Sequence, residues 1–414
     1  MTLDSLTPLP APDLPAPGSA VRVGAGRLTD PAQQQVTEAL GTFSALFDRL
    51  DQGQDGPALL VSTSGSTGAP KQTVLPASAL LASARGTEAA TGTHEAQWLL
   101  ALPLQYVAGA QVVARSALAG TTPVLTASVS EGTPFTAQDF LTSTEKLSAQ
   151  QRLVSLVPTQ LHRLLETPEG SLRAETLEAL RSFSGILLGG APASADLIRA
   201  ARSLALPVVR TYGSAETAGG CVYEGKPLPQ VRIHLEANPS DPQAPAPIWL
   251  GGPTIASGYA EDPQRTGSHF FTDREGTRWY RTDDVGRLDP ASGQLILAGR
   301  SDDVIISGGI KTSAAQVAQS LEAHPAVREA LVLGVADARW GRVISAAITL
   351  SRPEQADTQE LTELLTELVA EDLGPASAPK LLLVLEELPT LPTGKPDRQA
   401  LLALLSQAWK GKHS

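Results

Sequence analysis

Cysteine is almost absent from this chain, which has a single one, Cys221, among 414 residues. One cysteine excludes an intramolecular disulfide, and it also excludes a zinc site built from a cluster of cysteines. A reducing compartment suits such a composition. We therefore expect a cytoplasmic protein that folds without covalent crosslinks.

An excess of positive charge is also missing. The chain has 32 lysines and arginines against 43 aspartates and glutamates, which gives a formal net charge of −11 at pH 7. Proteins that bind nucleic acid take much of their affinity from clustered cations that neutralise phosphates. We therefore expect small molecules, and no nucleic acid, as partners.

Long apolar runs are lacking as well. No stretch approaches the roughly 18 consecutive apolar residues of a membrane-spanning helix, and the N-terminus lacks the basic and apolar regions of a signal peptide. The sequence therefore predicts no membrane insertion. Aromatic residues make up only 4% of the chain, so the core is expected to consist mainly of alanine and leucine.

A chain of this length has room for a large core and two or more domains. Residues 1–25 are rich in proline and alanine without periodicity, and we expect them to form a loose leader. Residues 26–299 are expected to form an N-terminal domain, in which apolar runs from 59 to 206 alternate with helical patterns as in a parallel α/β sheet. The predicted strands are 98–104, 124–125, 153–157, 185–188 and 208–210, and the predicted helices are 31–50, 77–90, 109–118, 158–165, 174–181 and 193–205.

From residue 231 to 297 the pattern changes to short strands separated by glycine and proline turns, which is typical of an antiparallel β subdomain. Residues 300–414 are expected to form a small α+β domain, with helices at 314–323 and 358–373 and strands at 330–334, 344–350 and 380–385. The predicted fold class is therefore α/β, with a large N-terminal domain, a small antiparallel β subdomain and a small, mobile C-terminal domain.

A loop of small hydroxyl residues and glycines follows the apolar run at 58–61. Residues 62–71 read STSGSTGAPK. Glycines let backbone N–H groups approach an anion, hydroxyls add donors and Lys71 adds a positive charge, so this composition predicts a site for nucleotide phosphates. The alternative is a flexible Ser/Gly linker, but linkers seldom follow a buried strand. The spacing does not fit a Walker A loop, so the nucleotide must be held differently.

Four further segments add chemistry suited to a nucleotide. Residues 187–192 (LLGGAP) form a strand end where the backbone can lie flat against a base, although a tight turn reads the same way. Residues 211–217 (TYGSAET) supply Tyr212 for stacking on adenine and Glu216 for Mg²⁺. In residues 280–286 (YRTDDVG), Asp284 can accept hydrogen bonds from both ribose hydroxyls. In residues 391–398 (LPTGKPDR), Lys395 lies between glycine and proline; the alternative for it is an exposed surface lysine.

In this order the five segments resemble the adenylate-forming superfamily, which includes acyl-CoA synthetases, luciferases and the adenylation domains of peptide synthetases. The resemblance covers nearly the whole chain after about residue 55, and it implies an enzyme with two half-reactions. In the first, a carboxylate attacks the α-phosphate of ATP to give an acyl-adenylate and pyrophosphate. In the second, a thiol displaces AMP. The resemblance thus implies ATP and Mg²⁺ as cofactors and coenzyme A as co-substrate.

The resemblance also implies which residues hold the nucleotide. Those expected to hold the β- and γ-phosphates are Thr63, Ser64, Gly65, Ser66, Thr67, Gly68 and Lys71. Those expected to surround adenine are Gly189, Gly190, Ala191, Tyr212 and Gly213. Those expected to hold the ribose are Asp284 and Arg300.

Catalytic and conformational roles follow from the same resemblance. Glu216 is expected to bind Mg²⁺, and Lys395 is expected to stabilise charge at the α-phosphate as the adenylate forms. Asp302 is expected to be the hinge about which the C-terminal domain rotates between the half-reactions. The glycines Gly308 and Gly309 are then expected to make room for the thiol.

Two segments resemble one branch of the superfamily in particular. Residues 155–165 (SLVPTQLHRLL) and 216–225 (ETAGGCVYEG) are similar to the 2-succinylbenzoate–CoA ligases of menaquinone biosynthesis, in their short actinobacterial form. This resemblance implies that the acyl substrate is 2-succinylbenzoate, which has two carboxylates. The residues expected in the acyl pocket are Gln105, Tyr106, Arg115, Thr159 and Gln160. The alternative for Arg115 is a helix surface position.

The chain also departs from the superfamily pattern. Asp283 stands where glycine is usual and adds a carboxylate near the expected ribose site. Gln105 and Tyr106 stand where these ligases usually show one or two histidines, so histidine proton chemistry is missing there. Two alternatives stay open: an aryl- or fatty-acyl-CoA ligase, and an adenylate-binding pseudoenzyme, which would be expected to lack Lys395 or Glu216. The sequence also leaves open whether the chain forms a homo-oligomer.

Overall fold

The computed structural model describes residues 6–24, 32–64, 70–236, 241, 244–351, 358–390 and 396–412. Within these ranges the chain forms 22 strands, arranged in four sheets, and 12 helices. The first three sheets are built from strands that precede residue 301, and the fourth is built from strands that follow it.

The first sheet has four strands in the order β14-β4-β3-β2. Their bounds are β2 Val21–Gly24, β3 Pro57–Ser64, β4 Pro70–Pro76 and β14 Gly258–Tyr259. β2 and β3 are parallel, whereas β3 and β4 form an antiparallel hairpin. The prediction of a parallel sheet from residue 59 onward is therefore wrong for this hairpin. The connection at 65–69 is too short for the crossover that two parallel strands require.

Two strands lie in the stretch that was predicted to be a loose leader. β1, Thr7–Pro8, pairs with β15 Phe270–Thr272, and β2 pairs with β3. Val21 and Val23 are buried while Arg22 between them is exposed, which is the period-two pattern of a strand. So short a pattern is easily hidden among prolines and glycines. The leader is thus held to two sheets and is not loose at these places.

The second sheet has seven strands in the order β11-β10-β9-β8-β7-β5-β6. Their bounds are β5 Gln97–Leu100, β6 Val124–Leu125, β7 Arg152–Leu156, β8 Gly185–Leu188, β9 Val208–Ser214, β10 Gly219–Tyr223 and β11 Lys226–Pro227. β5 to β9 are parallel, which confirms the predicted α/β arrangement for this region. β6 and β7 lie on opposite sides of β5, so the strand order reverses there.

Helices cover both faces of the second sheet. On one face Phe43, Leu80 and Val112 of α1 to α3 share a buried cluster with residues of the first and second sheets. On the other face Phe140, Leu161 and further apolar residues of α5 to α8 form a second cluster. The bounds are α1 Ala32–Asp51, α2 Ala77–Thr91, α3 Val107–Leu118, α4 Ala127–Ser130, α5 Ala137–Thr144, α6 Pro158–Leu165, α7 Ser171–Arg181 and α8 Ala195–Ser203.

The third sheet is the predicted antiparallel β subdomain. Its order is β1-β15-β16-β13-β12, with β17 also paired to β16. The remaining bounds are β12 Arg232–Leu235, β13 Ala246–Gly251, α9 Pro263–His269, β16 Arg278–Leu288 and β17 Leu295–Arg300. Asp284 of β16 pairs directly with Arg300 of β17, which brings two of the predicted nucleotide-binding residues together.

The fourth sheet has the order β19-β18-β21-β20, with β22 parallel to β21. The bounds are β18 Val304–Ser307, β19 Ile310–Ser313, α10 Ala314–Glu322, β20 Val327–Asp337, β21 Gly341–Leu350, α11 Thr358–Leu373, β22 Leu381–Leu385 and α12 Arg398–Lys412. Val317 and Leu365 of α10 and α11 pack on one face, and Leu401 and Leu405 of α12 pack on the other. Helix α12 was not among the helices predicted from the sequence.

Candidate active site

The predicted site residues of the second sheet gather at one edge of it. The segments that follow β5, β7 and β8, together with the end of β9, contain Gln105, Tyr106, Thr159, Gln160, Gly189, Gly190, Ala191, Tyr212 and Gly213. These strands are parallel neighbours, so their carboxyl ends lie side by side. The strand order reverses at β5, and the crevice at such a point is where open α/β sheets bind ligands.

Glycine is required at two of these positions by close packing. A Cβ atom at Gly189 would lie 2.3 Å from Thr211 Oγ1, and one at Gly213 would lie 2.1 Å from the backbone oxygen of Gly219. Neither distance is compatible with a side chain. The backbone of β8, β9 and β10 therefore approaches closely here and leaves the strand ends free of bulk.

The described members of the predicted phosphate loop lie at the adjoining ends of β3 and β4. Thr63 and Ser64 end β3, and Thr63 pairs with Lys71 of β4. Lys71 Nζ lies 5.5 Å above the ring of Tyr259, and both residues border a cavity of about 260 Å³. The other predicted members of the loop lie outside the described residues; they are Gly65, Ser66, Thr67 and Gly68.

Glu216 is a buried carboxylate with one side-chain partner. It lies in the 3₁₀ turn Ala215–Thr217 between β9 and β10, and the residue is only 7% exposed. Tyr259 Oη donates a hydrogen bond to Glu216 Oε1 at 2.9 Å. Burial, and then the charge of Glu216, raise the pKa of Tyr259, so its hydroxyl stays protonated as a donor. In the described residues the second oxygen, Oε2, has no hydrogen bond.

This arrangement suits a magnesium ion. Among the residues that the structure describes, no group of three or more His, Cys, Asp or Glu side chains forms a metal cage. Magnesium does not require one, since it keeps several waters and is held by one or two carboxylates together with substrate phosphates. The free oxygen of Glu216 can supply one such ligand.

Asp284 is the centre of the predicted ribose site. Tyr212 Oη donates to Asp284 Oδ2 at 2.7 Å, and Arg300 Nη1 lies 3.7 Å from Asp284 Oδ1. Burial, followed by the charge of Asp284, raises the pKa of Tyr212. The structure therefore brings Tyr212, Asp284 and Arg300 together as the sequence predicted, and it adds a direct hydrogen bond between the first two.

Asp283, the departure from the superfamily pattern, lies beside this site. Its Oδ2 is 3.2 Å from Arg300 Nη2, and its Oδ1 is 3.7 Å from His269 Nε2. His269 first, and then Arg300, lower the pKa of Asp283 to about 2, so the carboxylate is charged at neutral pH. Sequence reasoning missed His269 and Tyr259, because folding brings them to the site from segments with no local signal.

Arg115 is buried rather than on a helix surface. The residue is 6% exposed, its guanidinium lies 5.2 Å from the Trp98 ring, and one nitrogen, Nη2, donates to Ser83 Oγ at 3.3 Å. Its Nε is buried without a partner, and no carboxylate pairs with it among the described residues. One turn earlier on α3, Gln111 Nε2 donates to the Ala218 oxygen, while Gln111 Oε1 has no partner.

The other acyl-pocket candidates are placed less distinctively. Gln160 uses its whole amide group for structure, since Oε1 accepts from Val157 N at 3.1 Å and Nε2 donates to the Ala101 oxygen at 2.8 Å. Gln105 Oε1 is buried and lacks a hydrogen-bond partner in the described residues. Tyr106 precedes α3, and burial raises its pKa. Gln160 therefore reads as a structural residue, whereas Gln105 keeps a free acceptor.

The described candidate residues after residue 300 lie in the connection between β17 and β18 and in the turn between β18 and β19. Asp302 lies in the 3₁₀ turn Ser301–Asp303 between β17 and β18. Gly308 and Gly309 form the two-residue turn between β18 and β19 with φ of +56° and +85°, which explains both glycines by turn geometry. Lys395 lies outside the described residues.

Comparison with known proteins identifies the family. Residues 17–260 match the family described as AMP-binding enzyme, and residues 316–395 match the AMP-binding enzyme C-terminal domain. The chain is also 38% identical over 357 residues, 85% of either chain, to a Mycobacterium tuberculosis protein named probable 2-succinylbenzoate–CoA ligase. The chain belongs to the AMP-binding enzyme family. The predicted membership of the adenylate-forming superfamily is thereby confirmed.

Solved structures of other AMP-binding enzymes share this fold. The o-succinylbenzoate CoA synthetase of Bacillus subtilis in complex with its acyl-adenylate intermediate has a TM-score of 0.67 and 31% identity, covering 84% of this chain and 69% of that one. The same synthetase in complex with ATP and magnesium has a TM-score of 0.66 and 31% identity, covering 84% and 70%. This AMP-binding enzyme thus has the predicted α/β fold, and in its described part no helix is long and apolar enough to cross a membrane.

Proposed function

We propose that this AMP-binding enzyme is an ATP-dependent acid–thiol ligase that joins 2-succinylbenzoate to coenzyme A through an acyl-adenylate, in menaquinone biosynthesis. The strongest support is the 38% identity over 85% of both chains to the Mycobacterium tuberculosis protein of that name. The similarity to the Bacillus subtilis synthetase in complex with its acyl-adenylate adds to it. We place the reaction in the cytoplasm.

The first half-reaction depends on charge neutralisation and positioning, because a carboxylate is a poor nucleophile toward a polyanion. We assign the β- and γ-phosphates to residues 63–68 and Lys71, and the adenine to residues 189–191, 212 and 213. Asp284 and Arg300 hold the ribose, and Lys395 stabilises the charge at the α-phosphate. A magnesium ion at Glu216 supplies further neutralisation of the phosphates.

The burial of Arg115 supports an acyl substrate with a second carboxylate. A buried guanidinium is costly unless an anion or several hydrogen bonds satisfy it, and within the described part of the chain Arg115 contacts Ser83 Oγ and the Trp98 ring but no carboxylate. Arg115 lies in the last turn of α3, and its partner Ser83 donates to the Ala218 oxygen, two residues after Glu216. We assign the aromatic carboxylate of 2-succinylbenzoate to Arg115, which leaves the succinyl carboxylate to be adenylated.

A substrate panel tests this proposal. Purified enzyme is given ATP, Mg²⁺ and either 2-succinylbenzoate, 3-benzoylpropionate, benzoate or a medium-chain fatty acid, and pyrophosphate release is measured. 3-Benzoylpropionate lacks only the aromatic carboxylate. We expect its kcat/KM to be lower than that of 2-succinylbenzoate by about a hundredfold or more, because it leaves a buried charge unpaired.

Two variants test whether the preference for a second carboxylate depends on Arg115. Arg115→Met should bring the two kcat/KM values together, whereas Arg49→Met, at an exposed arginine of α1, should leave their ratio unchanged. Faster release with benzoate or the fatty acid would instead identify another acyl-CoA ligase. ATP binding without pyrophosphate release from any acid would identify a pseudoenzyme.

A further inference from the structure

The guanidinium of Arg300 lies between two consecutive carboxylates. Its Nη2 is 3.2 Å from Asp283 Oδ2, and its Nη1 is 3.7 Å from Asp284 Oδ1. The pair with Asp283 is therefore the closer of the two. Consecutive residues of a regular strand point to opposite faces, so a shared partner requires a distortion. One is present, because the register of β16 against β13 shifts between Arg281 and Val285, the stretch that contains both aspartates.

The Asp283 carboxylate also contacts a second side chain, that of His269. Its other oxygen faces His269 Nε2, and the imidazole is packed in turn between aromatic rings, 6.3 Å from Tyr280 and 6.1 Å from Tyr259. The Asp283 side chain is thus fixed from the α9 side and presents its second oxygen to Arg300. With glycine at this position, the contacts of the side chain with His269 and Arg300 would both be missing, while the longer pair between Arg300 and Asp284 would remain.

The Asp283 side chain is not needed to attach the segment that follows β17 to β16. Ser301 Oγ donates to the backbone oxygen of Asp283 at 2.9 Å, and any residue at 283 can accept that bond. What the carboxylate adds is the orientation of Arg300. Arginine has a planar fork of donors, so fixing one edge of the fork also fixes the direction of the rest.

We propose that Asp283 is a positioning residue, which holds the Arg300 guanidinium beside Asp284 so that the pair is preorganised for the hydroxyls of the ATP ribose. The inference rests on the proposed role of Asp284 and Arg300 in ribose binding. Preorganisation raises affinity because the side chain loses less freedom when the ligand binds. The Asp283 carboxylate therefore strengthens recognition of the ribose.

The test compares binding of ATP with binding of 2′,3′-dideoxy-ATP, by calorimetry in the presence of Mg²⁺. Both nucleotides carry the same phosphates, so the ratio of their Kd values cancels any change in the field at the phosphate site. Wild-type enzyme should prefer ATP. In Asp283→Asn the preference should fall by about fivefold, the upper end of what a part-exposed ion pair contributes.

Further variants separate this inference from the function on which it rests. Asp284→Asn should abolish the preference, and adding Asp283→Asn to it should change nothing more. Glu275→Gln, which breaks an exposed pair with Arg232 in the same subdomain, should leave the preference at the wild-type value. Asp283→Gly, which restores the usual superfamily residue, should reproduce Asp283→Asn and gives a second reading if one variant folds poorly.

The outcomes are distinguishable. If Asp284→Asn lowers the preference while both Asp283 variants keep it, the positioning role is refuted and the ribose assignment stands. If Asp284→Asn also keeps the preference, the ribose assignment fails and takes the positioning role with it. A drop in melting temperature with an unchanged preference would assign Asp283 to stability alone, and would likewise refute the inference.

Discussion

At the scale of single residues, two buried charges distinguish the site from the rest of the core. Glu216 is 7% exposed and Arg115 is 6% exposed, and neither pairs with an opposite charge among the described residues. Buried charges are retained in proteins when a partner or ligand compensates them. Their burial supports the proposal that Glu216 holds a cation and Arg115 an anion, which are the charges of an adenylating site for a dicarboxylic acid.

Tyr259→Phe should weaken the binding of magnesium in the first half-reaction. The variant keeps the ring below Lys71 but removes the hydrogen bond to Glu216 Oε1, so the carboxylate is no longer oriented. A hydrogen bond to a charged group contributes about 1.5–3 kcal/mol, so we expect the Mg²⁺ concentration for half-maximal pyrophosphate release to rise by about tenfold or more. The measurement is a Mg²⁺ titration at saturating ATP.

Tyr223→Phe is the matched control for that variant. Tyr223 is also buried, and its hydroxyl bonds to Thr87 Oγ1 at 2.9 Å, away from Glu216. It should lose stability by a similar amount but keep the wild-type Mg²⁺ dependence. An equal shift of the titration in both variants would mean that Tyr259 acts through general stability rather than through Glu216.

At the scale of elements, the sequence predicted what depends on local pattern. The strand at 185–188 and the helix at 158–165 have the predicted bounds, because their apolar spacing is sufficient to define them. The β3–β4 hairpin was missed because its second strand turns back along the first, whereas the sequence reads as one continuing strand. Helix α12 was missed because it directly follows a segment that was interpreted only as a functional motif. The contact between His269 and Asp283 depends on tertiary packing and leaves no local signal.

The structure brings together more of the residues predicted for the nucleotide than of those predicted for the acyl pocket. Tyr212, Asp284 and Arg300 meet in space, because Arg300 of β17 pairs with Asp284 of β16 and the Tyr212 hydroxyl reaches Asp284 from β9 of the second sheet. Gln160 was expected to line a pocket, yet its amide bonds only to backbone groups. A glutamine looks the same in the sequence whether it lines a pocket or bonds to the backbone, so only the packed structure distinguishes the two roles.

Gly213→Ala should destabilise the pairing of β9 with β10. A methyl group there would lie 2.1 Å from the Gly219 oxygen, which is backbone and cannot rotate away. We expect a loss of about 1–3 kcal/mol in the free energy of unfolding, the usual cost of overpacking, measured by urea denaturation. Gly41→Ala is the control, because α1 has open space at that position and alanine favours a helix interior, so stability should rise. Equal stability of both variants would show that β10 moves freely.

At the scale of the whole molecule, the connection at 300–303 is held on both sides of one residue. Before it, the Arg300 side chain and Ser301 Oγ bind Asp283 in the β subdomain. After it, Asp303 pairs with Arg398 of α12 at 2.6 Å. Position 302 lies between these contacts, so a rotation of residues 303–414 that preserves both sets is expected to change the backbone angles of Asp302. This geometry supports the proposed domain division near residue 300.

Asp302→Pro should separate the two half-reactions. Proline fixes φ near −65° and removes the backbone N–H, so the backbone can no longer change between two conformations at this position. We expect pyrophosphate release in the first turnover to remain within a few-fold of wild type, and thioester formation from a supplied acyl-adenylate and coenzyme A to be lost. Asp302→Ala leaves φ free and should retain both steps. Thioester formation at the wild-type rate in Asp302→Pro would place the hinge elsewhere.

Lys395→Ala should give the opposite pattern, with adenylation lost and thioester formation kept. Equal loss of both steps in Lys395→Ala would refute its assignment to the first half-reaction.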